Sequence, residues 1–155
     1  MQNELLEVGI DPRLQIFISS QFDATVRIMS QFSGETIVTV PANSVHVESV
    51  HLYHVNNASE IPQRKSLFVT SDVPIVVYVL NTLAQSTDTY AAIPIRHLGT
   101  QYYSVNRPSD RYRRNRTPTS TMLRSGEFMV MAVEDGTQVD ITPTTMTKAG
   151  VAPNS

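Results

Sequence analysis

The chain of 155 residues contains no cysteine. Disulfides, thiol nucleophiles and Cys-ligated metals are therefore excluded. Charged residues make up only 17%, against about 25% in an ordinary soluble domain. Their place is taken by Ser, Thr, Asn and Gln, a substitution common in secreted β-proteins. Glycine occurs six times, and no Gly-x-Ser-x-Gly elbow is present to strain a serine into a nucleophile. No apolar run approaches the ~18 residues of a membrane span. Met1-Gln2-Asn3-Glu4 lacks the basic start and apolar core of a signal peptide, and the chain is expected to be a trimmed piece of a longer protein. The net charge of −2 gives the whole chain no electrostatic case for nucleic acid or an anionic membrane.

What is present is a period of two. Leu14, Ile16 and Ile18 alternate with Gln15, Phe17 and Ser19; Ala24, Val26 and Ile28 alternate with Thr25, Arg27 and Met29. Turn residues at Gln21-Phe22-Asp23, Ser33-Gly34 and Pro41-Ala42-Asn43 separate these from strands over Thr36–Val40 and Val45–Val50. A polar loop over His51–Lys65 precedes strands at Ser66–Thr70 and Ile75–Leu80, with Ser71-Asp72-Val73-Pro74 turning between them. The run Ile75–Leu80 is apolar throughout, which predicts a core strand covered on both faces. Further strands are expected at Tyr90–Ile93, Gln101–Val105 and Phe128–Val133. Glu134-Asp135-Gly136 predicts a hairpin turn into Thr137–Thr142. Only Asn3–Val8 reads as helix.

The expected fold is all-β: one antiparallel β-sandwich of about nine or ten strands, jelly-roll or Ig-like. Residues 106–125 are predicted to form a long irregular loop. Leu14–Met29 and Phe128–Thr142 share a strand–turn–strand pattern. The chain thus divides into a first repeat over 12–105, the Arg-rich loop, the start of a second repeat over 126–143 and a tail over 144–155. A repeat cut after one hairpin leaves an edge strand, so self-association through an edge is expected.

Ten of the twelve basic residues are Arg, and six of those lie between Arg107 and Arg124. Arg107, Arg111, Arg113, Arg114 and Arg116, with Tyr112 among them, have the composition of a polyanion-binding strip. The competing reading is a solvated loop. Asn57-Ala58-Ser59 is an N-glycosylation sequon in a predicted loop. His46, Glu48, His51 and His54 are donors of the type zinc takes, but their spacing suits solvated histidines on a sheet better. Asp72, Asp88 and Asp135 sit where turns prefer Asp. No catalytic residue, metal site or cofactor is assigned.

Several stretches resemble the N-terminal domain of the IgG-Fc-binding-protein family. They are Ser71-Asp72-Val73-Pro74-Ile75-Val76-Val77-Tyr78, Asn81, Ser86-Thr87-Asp88, Ala92-Ile93-Pro94 and Leu98-Gly99-Thr100-Gln101-Tyr102-Tyr103. Ala132-Val133-Glu134-Asp135-Gly136-Thr137 and Ile141-Thr142-Pro143 continue the set. The resemblance covers roughly 12–143 and corresponds to about the first half of the family's domain. The Gly-x-x-Phe-Trp strand that precedes Met1-Gln2-Asn3 in the family is absent, and the Arg-rich loop departs from its pattern. The resemblance implies an extracellular, non-enzymatic adhesion or scaffold module of a larger secreted or cell-surface protein, with a protein or glycan ligand. A self-assembling filament or capsid-like subunit is the alternative, and a carbohydrate-active enzyme or its accessory domain a second.

Overall fold

The computed structural model describes residues 13–55, 61–83, 86–106, 110–113, 121–124, 126–144 and 146, with backbone alone for residues 83, 86, 110–113 and 121–124. Seven strands form two antiparallel sheets. They are β1 (Arg13–Ser20), β2 (Ala24–Ser30), β3 (Gly34–Val40), β4 (Ser44–Val50), β5 (Leu67–Ser71), β6 (Val76–Leu83) and β7 (Ser86–Ala91). The larger sheet runs β4-β1-β6-β7 and the smaller β3-β2-β5. The division into four and three is that of an immunoglobulin constant-type sandwich, though the strand order differs from it. No α-helix occurs among the described residues; the only helical turns there are 3₁₀, at Leu52–His54 and Ile95–His97.

The period of two decides which way each strand faces. Leu14, Ile16 and Ile18 of β1 and Ala24, Val26 and Ile28 of β2 are all buried, and their alternates are not. A slip of one residue would turn either set to solvent, so burial fixes the register. Ile18, Val26 and Val40 are fully buried at the centre. Val38, Val50, Leu67, Val69, Val77 and Val79 pack around them from both sheets. Burying each such side chain contributes about 1.5–3 kcal/mol.

The predicted turns are where the sequence places them, and polar side chains tie one end of the sandwich together. Asp23 Oδ1 accepts the Ala42 N–H at 2.8 Å, and Asp72 Oδ1 accepts the Thr25 N–H at 2.8 Å. Ser20 Oγ donates to the Pro74 carbonyl at 2.9 Å. Asn43 takes φ +57° and Gly34 φ +76°, left-handed conformations these two residue types tolerate best.

Four expectations need correction. The apolar run in β6 is covered on one face only: Val77 and Val79 reach the core, while Val76 and Tyr78 are each 50% exposed. No third layer lies against this sheet among the described residues. The predicted hairpin over 128–142 forms no strands. Its turn survives, with Gly136 at φ +77° and Thr137 Oγ1 donating to the Glu134 carbonyl at 2.7 Å. Phe128, Val130, Val139 and Ile141 remain exposed, because two arms with no sheet to join are marginal. Gln101–Val105 is irregular too: Tyr102 Oη accepts the Gly99 N–H at 2.8 Å, a local turn that competes with extended pairing. Finally, the expected loop over 106–125 contains two paired strands, β8 (Asp110–Arg113) and β9 (Thr121–Arg124), with Tyr112 opposite Met122. Tyr112 and Thr121 are the strand-favouring residues there.

Two smaller differences concern the ends of the chain's motifs. β7 ends at Ala91 instead of running to Ile93. The two arms of the first strand–turn–strand unit, β1 and β2, lie in different sheets. The Asn3–Val8 segment lies outside the described residues.

Candidate functional site

The histidines that suggested metal ligands have separate duties. His46 and Glu48 lie opposite Ile18 and Ile16 on the inward face of β4, and their side chains meet at 3.1 Å, each about a third exposed. His54 is buried. Its Nδ1 donates to the Lys65 carbonyl at 2.8 Å, since a carbonyl can only accept. That fixes Nε2 as the acceptor of the Ser30 hydroxyl at 3.0 Å. Ser30 Oγ in turn accepts the N–H groups of Phe32 and Ser33, so one serine closes the β2–β3 turn and anchors the loop after β4. His51 Nδ1 accepts the Tyr53 N–H at 3.1 Å. No three His, Asp or Glu residues come together as a metal site among the described residues.

The aromatic rings of this end stack in sequence. The Phe32 ring lies 4.7 Å from that of His51 and 4.5 Å from that of Tyr53, the latter pair nearly parallel. Lys65 Nζ stands 5.4 Å from the Tyr53 ring and donates to the Val55 carbonyl at 2.8 Å. The rings contact one another, yet Phe32 stays 52% and Tyr53 41% exposed.

The three acids expected in turns do not come together, and Asp88 lies in a strand instead of a turn. The Thr25 N–H holds the Asp72 carboxyl below its ordinary range. Asp135 is 3.5 Å from Arg64, and Asp88 pairs opposite Asn81 on β7. Tyr90, also on β7, has its phenol pushed above the ordinary value by burial of the ring.

The predicted polyanion strip is only partly placed. Arg111 and Arg113 occupy alternate positions of β8, paired with Leu123 and Thr121 of β9. Arg107, Arg114, Arg116 and the sequon residue Asn57 lie outside the described residues.

The surface that sequence reasoning missed follows β7. The Ala92 N–H still bonds the Val77 carbonyl at 2.8 Å, and the chain then leaves the sheet. Pro94 introduces the 3₁₀ turn Ile95–His97, whose last N–H bonds are closed by the Pro94 and Ile95 carbonyls. The Gly99–Tyr102 turn follows. Along 92–106 the large apolar side chains point outward: Ile93, Ile95 and Leu98 are exposed, Tyr102 is 65% exposed and Tyr103 88%. An irregular segment displayed from a rigid sandwich, rich in exposed tyrosine and branched aliphatics, is the composition of a protein-binding surface. The signals were Ile93-Pro94 and Leu98-Gly99, turn markers that break any strand before two consecutive tyrosines.

At the same end of the sandwich is an open cleft of about 480 Å³, lined by residues of the β1–β2, β3–β4 and β5–β6 connections. Phe22 stands at its wall, 56% exposed.

Comparison with known proteins places the 92–106 segment in a family context. The family model described as IgGFc binding protein matches residues 88–155. No curated protein and no solved structure gives a match. The matched part includes Ala92-Ile93-Pro94, the Leu98–Tyr103 turn and both motifs around Asp135-Gly136. Ser71–Tyr78, where the resemblance was also expected, lies before it. Residues 88–155, less than half of the chain, are therefore similar to part of the domain that this family model describes.

Proposed function

We propose that this chain is a non-enzymatic binding or adhesion module of a larger secreted or cell-surface protein. It engages a protein or glycan ligand through the 92–106 segment. The observation that carries this reading is the outward display of Tyr102 and Tyr103 beside Ile93 and Ile95, inside the stretch that matches the IgGFc-binding family. Tyrosine supplies a large rigid contact area at small entropic cost, with a hydroxyl for polar contacts. A second, polyanionic ligand would be taken by the stretch that carries Arg107, Arg111, Arg113, Arg114 and Arg116, a reading supported by the composition of the sequence there. Glycosylation at Asn57 belongs to the same extracellular reading.

The test is binding by the full chain to immobilised IgG Fc, suggested by the family's name, and to a glycan array with sulfated members. Saturable binding to either, weakened at least tenfold by Tyr102→Ala with Tyr103→Ala, is expected. Arginine-dependent binding to the sulfated glycans should fall steeply with added salt. Turnover in a hydrolase and glycosidase screen, abolished by changing one acidic residue, would overturn the proposal.

A further inference from the structure

The β1–β2, β3–β4 and β5–β6 connections meet at one end of the sandwich, and hydrogen bonds tie their backbones in place. The Ser20 hydroxyl donates to the Pro74 carbonyl at 2.9 Å and accepts the Phe22 N–H at 3.1 Å. The Asn43 N–H donates to the Ser20 carbonyl at 2.8 Å, and the Ser44 hydroxyl donates to the Pro41 carbonyl at 2.6 Å. Asp23 takes the Ala42 N–H and Asp72 the Thr25 N–H. The open cleft of about 480 Å³ between these connections therefore has fixed walls. Its size lies within the ~300–1,000 Å³ of small-molecule sites.

The chemistry of the lining selects the ligand. No charged side chain lines the cleft. The charged residues of the three connections, Asp23 and Asp72, are acids already bonded to backbone, so a phosphate or carboxylate meets no cation here. A peptide main chain finds few partners, because the N–H groups of Phe22, Ala42, Asn43 and Ser44 are bonded within the chain. The side-chain amides of Gln21 and Asn43 and the Ser19 hydroxyl line the cleft and make no hydrogen bond among the described residues. Each can both donate and accept. Beside them Phe22 is 56% exposed and, among the described residues, stacks on no other ring. A free aromatic face next to neutral groups of this kind matches a sugar, which has weakly positive C–H bonds on a ring face and hydroxyls around its rim.

We propose that this cleft binds a neutral saccharide, with a sugar ring lying on Phe22 and its hydroxyls bonded by Gln21 and Asn43. The residues are distinct from those of the 92–106 segment and of the arginine stretch. At the efficiency of ordinary small ligands, a hexose binds with a Kd of about 1 mM. Binding this weak does not register on a washed glycan array, so it is read separately from the ligand binding assigned to 92–106.

Backbone amide NMR of the full chain, titrated with glucose, galactose, mannose or N-acetylglucosamine to about 100 mM, covers that range. At least one sugar should give saturable shifts at Gln21, Phe22, Asn43 and Val76. Phe22→Ala, at an exposed position, should weaken binding about tenfold. Phe22→Leu, which keeps an apolar wall without a ring face, should weaken it too. Gln21→Ala with Asn43→Gly removes both amides while glycine keeps the left-handed turn, and should also weaken binding. Tyr102→Ala with Tyr103→Ala should leave it unchanged, and glucuronate should bind no tighter than glucose. The same spectra show whether each variant is folded. Saturable shifts at those four amides with none of the sugars, or binding unaffected by both the Phe22 and the amide variants, would refute the proposal. Tighter, salt-sensitive binding of glucuronate at the cleft would refute it as well.

Discussion

Replacing Ile18 by Ala and Val130 by Ala separates the core from the apolar segment that resembles one. Ile18 is fully buried between the sheets, with Val77 and His46 opposite it on the flanking strands. Removing its outer carbons loses their transfer free energy and leaves a cavity, at a cost of about 2–5 kcal/mol. Val130 sits in an equally apolar run but is 54% exposed, so its truncation should cost less than about 0.5 kcal/mol. Urea unfolding followed by circular dichroism reads both. With a slope of about 2 kcal/mol per molar, a loss of about 3.5 kcal/mol for Ile18→Ala moves the midpoint down by roughly 1.8 M. Val130→Ala should move it by under about 0.25 M. Equal shifts would mean that Phe128–Val133 is a core strand and that the sandwich is larger than seven strands.

Ser30→Ala removes the acceptor of two N–H groups and the donor to buried His54, and should cost about 1–3 kcal/mol in thermal or urea unfolding. In a double-mutant cycle with His54→Ala the two losses should be clearly less than additive. Asp72 has a depressed folded carboxyl pKa because it accepts the Thr25 N–H. Its contribution is present above the unfolded value near 3.8 and is lost as pH falls through the lower folded value. Stability of the wild type relative to Asp72→Asn should therefore drop below about pH 4. Carbon-13 NMR titration of the Asp72 carboxyl should place its midpoint below 3.8. Tyr90 shifts the other way: its neutral phenol is favoured by burial, so its contribution is present below pH 10.0 and fades at higher pH. Ultraviolet difference titration of Tyr90→Phe against wild type should remove a phenol that ionises above that value.

The sandwich was legible, though nine or ten strands were expected and seven form its two sheets among the described residues, because alternation is self-checking: Leu14, Ile16 and Ile18 can all be buried only in one register. Turn residues at Asp23, Asn43 and Asp72 marked the connections, although Asp23 and Asp72 bond backbone distant in sequence, at Ala42 and Thr25, and Asn43 serves by its φ of +57°. Apolar content without alternation misled. Ile75–Leu80 and Phe128–Val133 look alike as strings, yet one is a strand with a bare outer face and the other is no strand. Hydrophobicity says that a segment gains by being covered, not that something within reach covers it. The tyrosines of 92–106 were hidden by a similar ambiguity. Gln101–Val105 has strand composition, and only the bond from the Gly99 N–H to the Tyr102 phenol shows the chain folding back instead. The role of His54 depended on contacts with Ser30 and Lys65, 24 and 11 residues away in sequence, which no local pattern reports.

The binding of IgG Fc and of arrayed glycans by three forms of the full chain tests the central claim most directly. The forms are wild type, Tyr102→Ala with Tyr103→Ala, and the distant control Ile37→Lys. Saturable wild-type binding to at least one ligand is predicted, with a loss of at least tenfold in the tyrosine variant and none in the control. Binding undiminished by loss of both tyrosines would contradict the account, as would catalytic turnover of any glycan on the array.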